Sequence, residues 1–208
     1  MKKTLTEIKT PFLITLVFIV ICGLFYPLLM TGLGQTLFPH QANGSQVIAD
    51  GKVIGSSLIG QEFTTPQYMK GRPSAVNYNT YTTKEKEEGI YTGVSSGSQN
   101  LAPSNPALQH RVEKAQAAFL KAKPTITKSQ IPTDLLTASG SGLDPDISPE
   151  SALVQVPELS KTTGLSESKL KEIVRKNTQN KLLGFLGEKT VNVLSVNIDI
   201  AKFLSQNK

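Results

Sequence analysis

Residues 11–33 read Pro11-Phe-Leu-Ile-Thr-Leu-Val-Phe-Ile-Val-Ile-Cys-Gly-Leu-Phe-Tyr-Pro-Leu-Leu-Met-Thr-Gly-Leu33, and no Lys, Arg, Asp or Glu occurs between Lys9 and Asp50. A helix needs about 20 apolar residues to cross the hydrocarbon layer, so this run suffices with some tilt. A secretory signal would carry a shorter apolar core of roughly 7–15 residues and a small-x-small cleavage site. Gly32-Leu33-Gly34-Gln35 is a poor one. The stretch reads as an uncleaved anchor. Pro27 lacks an N–H, so the helix is expected to bend or end near Tyr26. Gly23, Thr31, Gly32 and Gly34 are small enough for close approach of a neighbouring helix, or simply belong to a tolerant anchor.

The flanks orient the anchor. Lys2, Lys3 and Lys9 precede it, and no Lys or Arg follows until Lys52. Under the positive-inside rule, residues 1–10 stay in the cytoplasm, 11–33 cross the cell membrane once, and 34–208 form an extracytoplasmic domain. The 208 residues leave little room for a second independent core. The formal charge of +6 is spread without a run of five like charges. A nucleic-acid binder concentrates basic charge in a patch interleaved with aromatics, so nucleic acid is set aside. The single cysteine, Cys22, excludes an intramolecular disulfide and a cysteine-based zinc site. Two histidines, His40 and His110, are too few for a His-rich metal site, and the absence of Trp argues against a sugar-stacking or quaternary-ammonium cage.

The domain reads as α+β. Gln46 to Gly55 is a hairpin signal, with Asp50-Gly51 suited to a type I′ turn. Residues 56–104, rich in Gly, Ser, Asn, Pro and Tyr, predict long irregular structure with short strands, and a loop region of that length usually binds or packs something. Asn105 and Pro106 cap and start a helix with Leu108, Val112, Ala115 and Phe119 on one face, stopped by Pro124. Ile131 to Thr137 reads as a short strand. Ser148-Pro149 opens a second helix ending by Gly164, and Ser166 opens a third with Leu170, Ile173 and Val174 apolar. Val191, Val193, Val196, Ile198 and Ile200 predict a closing strand with a bulge at Leu194.

Chemistry-bearing motifs are sparse. No Gly-Lys-Ser/Thr follows a glycine-rich turn, and Gly140-Ser-Gly142 is followed by Pro145 rather than by a lysine, which suits a structural turn better than a phosphate cradle. Asp134, Asp144 and Asp146 offer carboxylates for a divalent ion. Calcium-loop spacing is missing, however, and the other reading, favoured here, is that Asp144 and Asp146 satisfy turn N–H groups ahead of the next helix. Serines are abundant, but neither His40 nor His110 is placed as a base for one. No catalytic residue and no metal ligand is assigned.

Several strings together resemble one family. They are Leu58-Ile-Gly-Gln-Glu-Phe63, Tyr68-Met-Lys-Gly-Arg-Pro-Ser-Ala75, Ser98-Gln-Asn-Leu-Ala-Pro-Ser-Asn-Pro106, Asp134-Leu-Leu-Thr-Ala-Ser-Gly-Ser-Gly-Leu-Asp-Pro145 with Ile147-Ser-Pro149, Leu183-Gly-Phe-Leu-Gly187 and Val191-Asn-Val-Leu194. In order and spacing the chain resembles the C subunits of bacterial Kdp potassium-transporting P-type ATPases over nearly its whole length. It departs from them at Met69, where an aromatic is expected, and at Glu188-Lys189, where Glu-Pro is expected.

The resemblance implies a non-catalytic subunit of a high-affinity potassium import complex. Its partners would be a channel-like potassium-binding subunit, a P-type ATP-hydrolysing subunit and the lipid bilayer. It also implies an assembly role and a catalytic-chaperone role that raises the ATP affinity of the hydrolysing subunit. No Asp-Lys-Thr-Gly-Thr phosphorylation motif is present. The family's tie to ATP runs through a Leu-Gly-Gln element, here Leu33-Gly34-Gln35, which makes Gly34 and Gln35 the candidate cofactor-binding residues. The topology read from the flanks puts them on the far side from cytoplasmic ATP, where a Gly-Gln would serve to end the membrane helix. A free-standing anchored module that binds an extracellular ligand through residues 64–104 is the alternative.

Overall fold

A computed structural model describes residues 2–49, 51–91, 93–123 and 126–206. The chain divides into two compact units, residues 1–54 and 55–208.

The first unit is mostly one continuous apolar helical rod. Helix α1 (Lys2–Val20) runs into a π-helical turn (Ile21–Phe25) and then into α2 (Tyr26–Leu37). The part long and apolar enough to cross a membrane is Ile8–Leu37. Its 30 residues span on the order of 45 Å at 1.5 Å per residue, against a hydrocarbon layer of about 30 Å. Pro27, expected to bend or end the helix near Tyr26, does not end it. The wide turn ahead of it, closed by the Tyr26 N–H donating to the Ile21 carbonyl, carries the chain past the proline. A short α3 (Pro39–Ala42) follows, then strands β1 (Gln46–Ala49) and β2 (Lys52–Ser56), paired as the sequence predicts. Gly51 has φ 74°, as the primed turn requires; Asp50 lies outside the described residues.

In the second unit, residues 57–104 hold no strand among the described residues, against expectation. They contain only a left-handed turn at Asn77–Asn79 and a short α4 (Thr83–Glu87) with a full Thr82/Glu85 capping box. Helix α5 (Pro106–Ala122) starts as predicted, the Asn105 side chain accepting from the Ala107 N–H at 2.9 Å. Pro124, the expected stop, lies outside the described residues.

The stretch 131–137 is not a strand. It holds a 3-10 turn at Thr133–Leu135 and sends Ile131, Leu135 and Leu136 into a small core under Val112, Ala115 and Phe119 of α5. Leu135 and Leu136 are adjacent in sequence, and a strand would send them to opposite faces.

Strand β3 (Asp146–Ile147) leads into α6 (Pro149–Leu153) and α7 (Val156–Thr163). The single helix expected here is broken at Val154–Gln155, because Pro157 has no N–H to continue the ladder. Gly164 ends α7 in the left-handed conformation (φ 74°). Helix α8 (Glu167–Lys176), capped by Ser166, precedes β4 (Thr178–Gln179) and β5 (Thr190–Asn192).

The sheet order is β3-β5-β4, antiparallel throughout, with Val191 opposite both Ile147 and Thr178. The chain then enters α9 (Val193–Gln206) where a bulged strand was expected. Val193, Val196, Asn197 and Ile200 recur at i, i+3, i+4 and i+7, so the apparent slip at Leu194 is helical periodicity. The Asn192 side chain caps the switch by accepting from the Ser195 N–H and hydroxyl at 3.0 and 2.9 Å. Helices α6 to α9 close over the sheet around Ile147, Ala152, Val156, Leu170, Ile173, Val191, Val196 and Ile200.

Candidate functional site

The irregular segment 58–78 is held to the helical core at consecutive backbone groups. The Met69 N–H donates to Asn197 Oδ1 at 2.7 Å, and Asn197 Nδ2 donates back to the Met69 carbonyl at 3.0 Å. One residue on, the Lys70 N–H donates to Gln155 Oε1 at 2.9 Å and Gln155 Nε2 returns to the Lys70 carbonyl at 3.0 Å. Each amide side chain imitates a neighbouring strand. Both are almost fully buried, Asn197 at 3% and Gln155 at 1% exposure, where an unpaired amide would be costly. Met69 itself fills the main core at 1% exposure.

A second junction lies beyond these clamps. The Arg72 guanidinium meets Asp144 Oδ2 at 3.0 Å, and the Tyr78 hydroxyl donates to the Arg72 carbonyl at 2.6 Å. Ser74 Oγ accepts the Val76 and Tyr78 N–H groups and donates to the Gly142 carbonyl at 2.6 Å. These bonds sustain an unusual backbone, since Asn77, Tyr78 and Asn79 all have φ near +50°. A bulky residue in the left-handed region is strained and persists only where its surroundings impose it. Burial, reinforced by Asp144, raises the Tyr78 phenol to about 12.

Two glycines are required here. A Cβ at Gly60 would lie 2.4 Å from the Asp144 carbonyl and 2.7 Å from Tyr78 Cε1; one at Gly142, which has φ +68°, would lie 2.7 Å from the Gly97 carbonyl. Thus the strings at 58–63, 68–75 and 134–145 are brought together, and their shared work is to lock one loop.

The carboxylates singled out in the sequence have protein partners. Asp144 Oδ1 accepts the Asp146 N–H at 3.0 Å, the turn role favoured for it. Asp134 accepts from the Ser148 N–H at 2.7 Å and from the hydroxyls of Ser148 and Ser151. Burial acts to raise the Asp134 carboxyl, but those three donors outweigh it and hold it below its ordinary value. Ser148 in turn caps α6 through the Ser151 N–H. These serines therefore face a carboxylate with no imidazole, and His110 is exposed on α5. The Gly140–Gly142 stretch is a turn whose Gly142 N–H is taken by the Ser139 hydroxyl at 2.9 Å.

Gly34 and Gln35 close the corner between α2 and α3. The Gly34 carbonyl accepts the Phe38 N–H at 2.9 Å, and Asn43 Nδ2 donates to Gln35 Oε1 at 3.1 Å.

One cavity of about 430 Å³ adjoins the clamped loop, lined by Tyr68, Lys70, Phe119, Lys123 and Glu158 among others. Burial lowers the ammonium of Lys123 to about 8, Glu158 opposing that effect, and Lys123 Nζ sits 5.1 Å from the Phe119 ring centroid. Lys70 Nζ donates to the carbonyls of Phe63 and Thr65, and burial lowers its affinity for the proton too. The arrangement supplies buried polar clamps and a walled cleft, with no nucleophile-and-base pair assembled among the described residues.

Asn197, Gln155 and Tyr78 were not singled out from the sequence. Asn197 could have been, as the one amide on the apolar face of what proves to be a helix.

Comparison with known proteins finds relatives over nearly the whole chain. The family described as K+-transporting ATPase, c chain (KdpC) matches residues 8–202. A protein of Clostridium kluyveri named potassium-transporting ATPase KdpC subunit is 64% identical over 95% of this chain and 94% of its own length. Proteins of the same name from Clostridioides difficile and Caldanaerobacter subterraneus are 52% and 45% identical, covering 95% and 97% of this chain and 97% and 98% of their own lengths. The chain belongs to the KdpC family, the c chains of K+-transporting ATPases.

Proposed function

We propose that this chain is the non-catalytic accessory subunit of an ATP-driven, high-affinity potassium import complex. The helix Ile8–Leu37 crosses the cell membrane once, with the lysine-flanked N-terminus in the cytoplasm and the α+β domain outside. Its partners are a channel-like potassium-binding subunit, a P-type ATP-hydrolysing subunit and the bilayer. The observation that carries the reading is the full-length likeness to proteins named as KdpC subunits, joined to a domain whose polar groups are spent on holding its own loop.

The chain serves assembly and stability of the complex. It also raises the ATP affinity of the hydrolysing subunit without touching nucleotide. A domain outside the membrane has no route to cytoplasmic ATP, so it acts by favouring the conformation of the complex that binds ATP well. Gly34 and Gln35 contribute by fixing where the membrane helix ends.

The test is to tag the C-terminus, starve the source organism of potassium and purify in mild detergent. Co-purification of large membrane subunits with potassium-stimulated ATPase activity is expected. A lone intact protein would instead favour the anchored binding module. Deleting residues 40–208 while keeping the span is expected to raise the KM for ATP. The domain also caps the outer mouth of the potassium-binding subunit, and unchanged potassium affinity in that truncated complex would overturn this.

A further inference from the structure

The most exposed apolar feature of the second unit is the tip between β4 and β5. Leu182, Leu183, Phe185 and Leu186 are 68%, 77%, 70% and 47% exposed, in a segment that packs none of them into either core. A water-facing surface rarely spends four large apolar side chains in five residues without something to cover them. The tip is also firmly shaped. Leu182 and Leu186 exchange backbone hydrogen bonds at 2.8 and 2.9 Å, and Leu183, Gly184 and Gly187 all adopt positive φ. Its backbone is tied while its side chains are left out.

The ground beside the tip is basic. Lys171, Arg175 and Lys189 line a shallow groove with Leu153 and Val174, next to Asn180 at the foot of the tip. Arg175 and Lys189 have no ion-pair partner among the described residues; Lys171 pairs with Glu167. The acidic residue nearest the tip, Glu188, is taken by Lys181 across its base at 3.1 Å. An apolar tip with a cationic shoulder is complementary to one kind of surface, hydrocarbon lying beneath anionic headgroups.

We propose that the Leu182–Leu186 tip inserts into the outer leaflet of the bilayer, with Arg175 and Lys189 meeting anionic lipid headgroups. This rests on the reading of Ile8–Leu37 as a membrane span, because the span keeps the domain beside the surface and makes even weak insertion effectively intramolecular. The domain would then be gripped at a second point and held in one attitude over the membrane.

The test uses the full chain in vesicles with brominated acyl chains and an environment-sensitive fluorophore on a single cysteine. One sample carries the label at native Cys22, in the span. A second carries it at Leu183→Cys, and a third at Glu87→Cys on α4, both in a Cys22→Ser background. In phosphatidylglycerol vesicles the labels at positions 22 and 183 are expected to be quenched and blue-shifted, with position 87 unaffected. Arg175→Glu with Lys189→Glu, or phosphatidylcholine vesicles, should weaken quenching at 183 several-fold while leaving it at 22.

Quenching at 22 without quenching at 183 overturns the proposal and leaves the span intact. Quenching at neither overturns both. Equal quenching at 183 in the two lipids overturns the role of the basic shoulder. A blue shift at 183 that appears only with co-purified large subunits, and without bromine quenching, assigns the tip to a protein partner instead.

Discussion

Met69 and Asn197, 128 residues apart in sequence, exchange two hydrogen bonds as if they were neighbouring strands, although one lies in an irregular loop and the other on a helix. Gln155 repeats the device at Lys70. The loop is therefore a part of the core, and its anchoring can be measured. Asn197→Ala leaves a buried N–H and C=O without partners and is expected to destabilise the domain by about 2–4 kcal/mol. The double variant with Gln155→Ala should cost less than the two single changes together by roughly 0.5 kcal/mol or more, since freeing one clamp loosens the next. Urea denaturation of the four proteins checks this; strict additivity would show two independent contacts.

Gly60 should tolerate no side chain. With the Asp144 carbonyl 2.4 Å and Tyr78 Cε1 2.7 Å from where a Cβ would lie, Gly60→Ala must push apart the Arg72–Asp144 junction. The expected loss is about 1–3 kcal/mol. Gly140→Ala meets open space and is expected to change stability by less than about 0.5 kcal/mol, which makes it the control. Equal thermal midpoints for the two variants would contradict the geometry.

Lys123 gives a pH-dependent signature. Its folded-state value, lowered by burial to about 8, lies below its unfolded value near 10.5, so the unfolded chain holds the extra proton between those limits. Its burial penalty is complete below about pH 8 and relieved as pH rises toward 10.5. Lys123→Met should stabilise the domain at pH 7 by on the order of 1 kcal/mol, after allowance for solvent screening, and by much less at pH 10. Denaturation of both proteins at the two pH values decides it; the same gain at both would show that packing, not charge, sets the difference.

Tyr78 should ionise late, well above the ordinary value of a phenol. Its phenol, raised to about 12 by burial and then by Asp144, loses its proton readily only once the domain opens. Because the folded value exceeds the unfolded one, its contribution is intact below pH 10 and is lost as pH climbs toward 12. Ultraviolet titration of the native protein should show a late phase that Tyr78→Phe removes. Retention of that phase in the variant would assign it elsewhere.

Much of the plan was legible in the sequence because it was written in local signals. The apolar run at 11–33, the caps at Asn105, Ser148 and Ser166, and the Asp-Gly hairpin each act within a few residues. The two stretches read as strands that prove helical share one cause. Residues 131–137 and 193–200 are rich in β-branched and leucine side chains, which suit a strand or a buried helical turn equally well until their partners are known. At 193–200 the deciding fact is the amide clamp at Asn197, which makes sense only once Met69 is beside it. The loop-locking junction was hidden for the same reason. Arg72 to Asp144 and Gly60 to Leu143 are meetings that spacing along the chain does not encode.

The π turn at Ile21–Phe25 has a consequence for how the N-terminal apolar helix can be gripped. It fits one residue more into a turn than an α-helix would, so everything after it is rotated by about 100° about the axis. The rod thus presents one stripe of side chains before Ile21 and another, out of line with it, after Phe25. Two neighbours approaching from different directions could each hold one half, and removing a single residue from the turn would bring both stripes to the same side.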